Sequence, residues 1–347
     1  MNPPPRPPSP ALPLLVFDCG RKYRDPHALY SIARRHQTDA AIALLLNFRN
    51  FETPLGWVLA LHTPSLCTFL WRPRDGQTID LPSAEADLPA NCKCLLTHKL
   101  PFTRGGDAAN PCVAVVFDLD GFQYWFCRVR GGTEWQRRAY TLRDVGTRRR
   151  PNMARDVGVA AVGGKIYYEL GEHELGVLEF DPVHAEPTLT RIKVDMVRVP
   201  RGFPTRLRHF VESCGELFLV IVYFRLNCRR KVARVALYKM DFSVPAWCKV
   251  DRIGDQVFLL GGDRSGLSRF GASCSASDRG LAADRIYFFN HISHRQNTLH
   301  VFNLTNKTEE VLTPFNIPLS PMRPPFWMLP TEDPNISVQS KSSSVHS

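Results

Sequence analysis

The sequence predicts an all-β protein, a β-propeller of four-stranded antiparallel blades with six blades, within a range of five to seven. Three observations predict this class. Short apolar runs are separated by Gly, Pro, Asn and Asp, pairs of such runs repeat along the chain, and many runs are apolar at consecutive positions. With 44% hydrophobic and 22% charged residues, the composition is that of a globular protein rather than a disordered one.

The repeated unit consists of a turn residue, an apolar run, a polar loop and a second apolar run. It occurs as GGKIYY with VLEFDP (163–168 and 177–182), GELFLV with VALYKMD (215–220 and 235–241), and DRIYFF with LHVFNLT (284–289 and 299–305). The central residues Ile166, Phe218 and Ile286 lie 52 and 68 positions apart. This spacing is near the ~50 residues of a kelch blade and predicts one blade for each unit.

Three earlier segments complete the predicted ring. Residues 112–129 (CVAVVFDLDGFQYWFCRV) read as a hairpin with DLDG as its turn, and 57–73 as a second pair of strands. Residues 12–50 are predicted to form the sixth blade, although 27–48 are also compatible with a helix. Runs such as VAVVF are apolar at every position, as expected for strands covered on both faces. The strands of a two-sheet sandwich would alternate instead.

The two ends of the chain depart from this pattern. Residues 1–11 form a Pro-rich extension without the apolar core of a secretory signal, and 331–347 are polar and Ser-rich, which predicts a disordered tail. The propeller is therefore assigned to 12–330. No apolar stretch approaches the ~20 residues of a membrane span, so no membrane association is expected. The ten cysteines are expected to be reduced thiols. The protein is accordingly expected in the cytoplasm or the nucleus, with an organelle as the alternative location.

Ordered motifs run through most of the chain. They are GWVLAL (56–61), TFLWRP (68–73), IDLP (79–82), FVESCGELFLV (210–220), AWCKVDRIGDQVFLLGG (246–262) and SCSASDRGLAADRIYFF (273–289). Together they resemble the plant F-box-associated (KIB-type) β-propeller family, over about 12–330. The resemblance implies the same propeller fold.

The resemblance also implies a function. In that family the F-box links the protein to a cullin-based ubiquitin ligase, while the propeller binds the target. Only eleven residues precede Leu12, so no F-box and no direct binding to the ligase adaptor are expected. The resemblance therefore implies a non-enzymatic propeller that binds a protein target. The alternatives are a ligase-linked adaptor acting through a partner's F-box, and a propeller enzyme with an active site in the central channel.

The formal charge of +11 suggests an acidic partner. Arginines cluster at 143–155 and 225–234, but without the interleaved aromatic residues of a single-strand binding platform, so nucleic acid is not expected. Within the first cluster, Arg148, Arg149 and Arg150 are the candidate residues for contacting a partner. A solvated loop or a nuclear-import patch is the alternative interpretation of these arginines.

No group of residues in the sequence indicates catalysis or a cofactor. Ser213, Ser273 and Ser275 lack the G-x-S-x-G elbow of a nucleophilic serine. The glycines of GGKIYY and LLGGDRSG lack the spacing of a phosphate loop. Cys92 and Cys94 lie on one face of a predicted strand but have no second cysteine pair, so no metal is expected.

Five tryptophans are assigned to the interior. Trp71, Trp135 and Trp247 lie at the ends of apolar runs, where they could line a peptide groove or pack between blades. Packing between blades is the favoured interpretation, because propellers use large aromatic side chains in this way. Trp57 and Trp125 lie within apolar runs and are predicted to belong to the core.

Overall fold

The computed structural model forms a ring of six sheets, which confirms the six-bladed propeller. It describes residues 12–18, 26–89, 91–100, 111–119, 121, 123–139, 158–170, 173–183, 186–195, 197, 200, 206–225, 228–261, 270–290, 298–313 and 325–331. The predicted Pro-rich extension and all of the predicted Ser-rich tail except Thr331 fall outside these ranges.

The blades follow one another along the chain, and each is built from the channel outward. Blade 1 contains β25 (Phe326–Met328), β1 (Leu14–Asp18), β2 (His27–Ser31) and β3 (His36–Ala40). Blade 2 contains β4 (Arg49–Glu52), β5 (Val58–His62), β6 (Cys67–Trp71) and β7 (Thr78–Leu81). Blade 3 contains β8 (Cys92–Leu96), β9 (Val113–Asp118), β10 (Gln123–Arg128) and β11 (Gln136–Ala139). Blade 4 contains β12 (Val159–Val162), β13 (Lys165–Glu169), β14 (Glu174–Phe180) and β15 (Pro187–Lys193). Blade 5 contains β16 (Arg206–Ser213), β17 (Glu216–Arg225), β18 (Cys228–Asp241) and β19 (Ala246–Val250). Blade 6 contains β21 (Gly271–Ser275), β20 (Gln256–Leu260), β22 (Arg285–Asn290), β23 (Thr298–Asn303) and β24 (Thr308–Leu312).

The second strand from the channel is more deeply buried than the outermost strand in each blade. Every residue of β9 is buried, as are the eight central residues of β17, so both faces of these strands are covered. This explains their continuous apolar sequences. The outer strands β3, β15 and β24 consist only of exposed and half-buried residues. The repeated pairs of apolar runs in the sequence are the central hairpins β13–β14, β17–β18 and the pair β22–β23.

Blade 1 is closed by the two ends of the chain, which differs from the single blade predicted for 12–50. Strand β25 pairs with β1, with Leu15 opposite Trp327, and supplies the inner strand. Residues 49–52 instead form the inner strand of blade 2. Closing the ring with a distant segment leaves no sheet edge open between the first and last blades.

Blade 6 departs from the four-stranded pattern. It has five strands, and β20 pairs in parallel with β22 because β21 has been placed on the channel side of β20. Strand β21 approaches β16 of blade 5 so closely that a Cβ on Gly271 would lie 2.7 Å from the carbonyl oxygen of Phe210. Glycine is therefore required at this position for the inner strands to meet.

Six apolar clusters fill the spaces between blades, one for each pair of neighbours within the described residues. Trp71 is buried between blades 1 and 2, and Trp135 between blades 2 and 3, where its indole N–H donates to Thr68 Oγ1 at 3.0 Å. Trp247 packs at the border of blades 4 and 5 and remains half-buried. Packing between blades is thus confirmed for all three.

The other two tryptophans and the helix-compatible segment also have clear positions. Trp57 is fully buried, whereas Trp125 is only half-buried beneath the guanidinium of Arg137. Residues 27–48 form strands β2 and β3, followed by the five-residue helix α1 (Ala43–Asn47). A second short helix of the 3₁₀ type covers Ser277–Arg279. Within the part of the chain that the structure describes, no helix has the length and apolar character to cross a membrane.

Candidate functional site

Charged side chains on the inner strands of blades 2 and 3 hold neighbouring blades together. Glu52 accepts a hydrogen bond from the backbone N–H of Trp327 in blade 1, and Lys93 donates to the carbonyl oxygen of Val159 in blade 4 at 2.6 Å. Burial raises the pKa of Glu52 to about 8, although the Trp327 N–H and the charge of Lys93 oppose this shift. Glu52 nevertheless keeps part of its surface accessible to solvent.

A second set of polar contacts joins blades 4, 5 and 6. Arg208 forms a buried ion pair with Glu169, whose other carboxylate oxygen accepts the backbone N–H of Gly158 at 3.0 Å. His209 is fully buried, and its Nδ1 donates to the carbonyl oxygen of Phe270 at 3.0 Å. These groups are engaged in holding the ring together.

A cavity of about 190 Å³ opens at the end of the channel toward which β4, β8 and β12 run. Its lining comes from five blades: Pro54, Leu55, Leu95, Leu96, Thr97, His98, Lys99, Ala160, Ala161, Gly163, Gly164, Glu212 and Gly271. Most of these residues are apolar or lack a side chain. The cavity is therefore an apolar hollow with a few polar groups at its rim.

Two adjacent glycines lie at the rim of the cavity, where they have no side chains that would narrow its opening. Gly163 and Gly164 form the turn between β12 and β13, with φ values of +57° and +84°. Both angles are positive, as in the type I′ turns that join hairpin strands. A Cβ on Gly164 would lie 2.6 Å from Nε2 of His98, whereas a Cβ on Gly163 would meet no heavy atom within 4 Å. The histidine ring therefore lies directly against this turn.

The polar groups at the rim are held in place by local hydrogen bonds. Thr97 Oγ1 accepts the backbone N–H of Val113 at 2.9 Å and contacts Nδ1 of His98 at 3.0 Å. Burial lowers the pKa of His98, which favours the neutral imidazole. Lys99 is exposed beside it. Glu212 accepts the backbone N–H of Gly215 at 2.8 Å and so stabilises its own turn.

Exposed apolar side chains lie on the same end of blades 4 and 5. Because β12 and β14 both run antiparallel to β13, the turns after them share one end of blade 4. The same holds for the turns after β16 and β18 in blade 5. The outer turns carry Val183, Phe242 and Val244, with exposed fractions of 66%, 37% and 70%. Phe242 also contacts Tyr167, with ring centroids 4.9 Å apart.

The structure places Ser213 and Ser273 on the inner strands of blades 5 and 6. The predicted arginine contacts, Arg148, Arg149 and Arg150, lie outside the part of the chain that it describes. Ser213 is buried, and Ser273 Oγ donates to the carbonyl oxygen of Glu212 at 2.8 Å.

Cys92 and Cys94 lie on one face of β8, as predicted, in the cluster between blades 2 and 3. Burial raises the pKa of the Cys92 thiol to about 12. Among the described residues, no three His, Cys, Asp or Glu side chains are grouped in a way that could hold a metal ion.

The sequence signal nearest to the cavity is the GG of GGKIYY, which predicts a turn before an apolar strand. A turn by itself does not indicate the rim of a hollow. The hollow depends on Leu55, Leu96 and Ala161, which come from three different blades. No local pattern brings these residues together.

Comparisons with known proteins agree with the fold. A family model described as KIB1-4 beta-propeller matches residues 29–303. No curated protein matches the sequence.

Three solved structures that resemble the chain share little sequence with it. The dihydro-heme d1 dehydrogenase NirN is 11% identical, with a TM-score of 0.33, over 94% of this chain and 76% of that one. A putative 6-phosphogluconolactonase from Bacteroides fragilis is 12% identical, with a TM-score of 0.39, over 87% of this chain and 81% of that one. The Cps50 (Swd1) propeller domain of Myceliophteria thermophila is 10% identical, with a TM-score of 0.35, over 88% and 91%. Likenesses this low carry no conclusion about function.

Proposed function

This chain belongs to the KIB1-4 β-propeller family, and from that membership we propose that it is a non-enzymatic module that recognises another protein. One observation carries the proposal. The charged and buried polar groups of the inner strands take part in contacts between blades, whereas the mouth of the channel has an open apolar cavity with a low rim. An apolar hollow on a rigid ring suits the binding of a partner's surface.

The size and chemistry of the cavity argue against an active site. Pockets for small-molecule substrates usually occupy about 300–1,000 Å³, whereas this cavity has about 190 Å³. The titratable groups of its lining are His98, Lys99 and Glu212, and the last of these accepts the hydrogen bond that stabilises its own turn. Glu52 and Lys93 are not part of the lining. These features support recognition rather than catalysis.

The proposal is tested by capturing partners with cross-linking. The tagged chain, treated with an amine-reactive cross-linker, should retain a small set of proteins, with cross-links at Lys99 or Lys165 near the mouth. An unrelated six-bladed propeller with a similar net charge serves as the control for charge-driven capture. Equal retention of all proteins by the two propellers would contradict recognition.

The same experiment addresses the link to ubiquitin ligases. We propose that the chain does not bind the ligase adaptor directly. Adaptor and cullin subunits that co-purify only together with a separate F-box protein would favour action through a partner's F-box. Direct binding of the purified chain to the purified adaptor, measured by calorimetry, would contradict this part of the proposal.

A further inference from the structure

We propose that the cavity at the channel mouth is an anchor pocket for one apolar side chain of an acidic segment in another protein. The inference rests on the proposed recognition function and adds the place of binding and the chemistry of the bound segment. It starts from the volume of the cavity, the residues that line it and the charge at its rim.

The volume fits a single side chain. An engineered cavity of about 150 Å³ with an apolar lining is large enough to bind benzene. The cavity at the mouth has about 190 Å³ and thus holds a side chain such as Leu, Met or Phe, but not a typical cofactor. Interfaces between proteins are commonly anchored by one or a few such side chains in a well-packed pocket.

The lining is suited to an apolar group. Leu55 and Leu96 form its walls, and Ala161 leaves the space that a larger side chain would fill. Removing apolar surface from water drives binding in such a pocket. The cavity opens at the end of blades 4 and 5 that also carries Phe242 and Val244. The segment beyond the anchor thus has further apolar surface to contact.

The charge of the rim points to an acidic segment. Lys99 is exposed at the mouth beside His98, and the whole chain has a formal charge of +11. The carboxylate of Glu212 accepts the N–H of Gly215, so this negative group is directed to its own turn. An Asp or Glu next to the anchor side chain would lie within the field of Lys99 and speed the encounter.

The inference is tested with a displayed library of random linear peptides, selected on the purified full-length chain. Selected peptides should share an apolar residue next to Asp or Glu. Their affinity is then measured by fluorescence anisotropy for the parent and for Gly163→Asn. This substitution introduces a side chain at the rim where a Cβ has room and where φ is +57°, a conformation that Asn tolerates. We expect affinity to fall at least about tenfold.

The matched control is Gly254→Asn. Gly254 also has a positive φ, +67°, and free space around a Cβ, but it does not line the cavity. It should leave affinity within about twofold of the parent, as expected for a position outside the contact. A second pair changes charge: Lys99→Glu should weaken binding about fivefold at low salt, whereas Lys249→Glu on the outer strand β19 should not.

The outcomes separate this inference from the proposed function. Equal affinities for the parent and Gly163→Asn would overturn the anchor pocket, as would a library from which no peptide is enriched. If cross-linking still captured partners in either case, recognition would stand and only the pocket would fall. If neither peptides nor proteins were retained, both proposals would fall.

Discussion

The interfaces between blades and the mouth of the channel are filled in opposite ways. At the interfaces, side chains such as Trp57, Leu59 and Val116 are almost completely buried. Charged groups there are paired, as Arg208 is with Glu169. At the mouth, small residues such as Gly163 and Ala161 leave about 190 Å³ empty.

This difference assigns stability to the interfaces between blades and recognition to the mouth of the channel. Removing a large buried side chain from an interface leaves a cavity and lowers the free energy of unfolding. The mouth already contains a cavity, so removing a side chain there disturbs little packing. We therefore expect substitutions at the interfaces to change the free energy of unfolding, and substitutions at the mouth to change binding. The following predictions test this separation, beginning at the interfaces, where the largest effects are expected, and ending at the mouth, where they are smallest.

The largest effect is expected for the indole between blades 1 and 2. Trp71 has an exposed fraction of 7% and packs against Val58 and Met328. Trp71→Ala should lower the free energy of unfolding by about 3–5 kcal/mol, measured by urea denaturation. Leu55→Ala at the half-buried mouth should cost about 1 kcal/mol. Similar losses for the two variants would contradict the separation.

Trp247 sharpens the same comparison within the interfaces. Its ring lies 5.4 Å from that of Phe210, but it is half-buried at the border of blades 4 and 5. Trp247→Ala should therefore cost less than Trp71→Ala, about 1–2 kcal/mol. A loss as large as that of Trp71→Ala would show that the border is packed as tightly as the centre of an interface.

The next effect concerns the ion pair between blades 4 and 5. Arg208→Met leaves the buried carboxylate of Glu169 without its guanidinium partner, and such a change typically costs about 3–5 kcal/mol. Adding Glu169→Gln should recover part of the loss, because a neutral amide oxygen can still accept the N–H of Gly158. A double variant no more stable than Arg208→Met alone would argue against the charge as the cause.

Sequence reasoning predicted the interfaces better than the mouth, and for a physical reason. Continuous apolar runs are a local consequence of burial on both faces, so VAVVF (113–117) and LFLVIVYF (217–224) predict buried strands without knowledge of their neighbours. The inner strand of blade 1 could not be placed in this way, because β25 is distant in sequence from β1. The cavity was missed because Leu55, Leu96 and Ala161 meet only when three blades close into the ring.

Glu52 extends the comparison to a charged group at an interface, since its carboxylate accepts the Trp327 N–H between blades 1 and 2 and stays partly accessible to solvent. Its pKa is raised from 4.5 to about 8, mainly by burial. Between these two values the folded protein keeps a proton that the unfolded chain has released, so stability should fall as pH rises from 4.5 to 8. At ~1.4 kcal/mol per pKa unit the upper bound is about 5 kcal/mol. Partial solvent contact reduces this to roughly 2 kcal/mol.

The pH dependence is measured as urea stability of the parent and of Glu52→Gln at several pH values. The variant should lose this part of the slope, because glutamine does not titrate and still accepts the Trp327 N–H. Glu85→Gln, at an exposed position, is the control and should keep the slope of the parent. A slope unchanged by Glu52→Gln would show that the carboxyl group titrates as in the unfolded chain.

The smallest expected effect on stability is that of Gly163→Asn, the variant designed to block binding. Residues 163 and 164 form a turn in which both φ angles are positive, and Asn followed by Gly is favoured in type I′ hairpin turns. Replacing Gly163 also restricts the unfolded chain, so the free energy of unfolding should change by no more than about 0.5 kcal/mol. Gly164→Asn should cost more, about 1 kcal/mol, because its Cβ would lie 2.6 Å from His98 Nε2 and displace the ring. Thermal unfolding of both variants checks this order. If Gly163→Asn proved the more destabilising of the two, the rim would contribute to the packing of the ring, and the mouth could not vary independently of the interfaces.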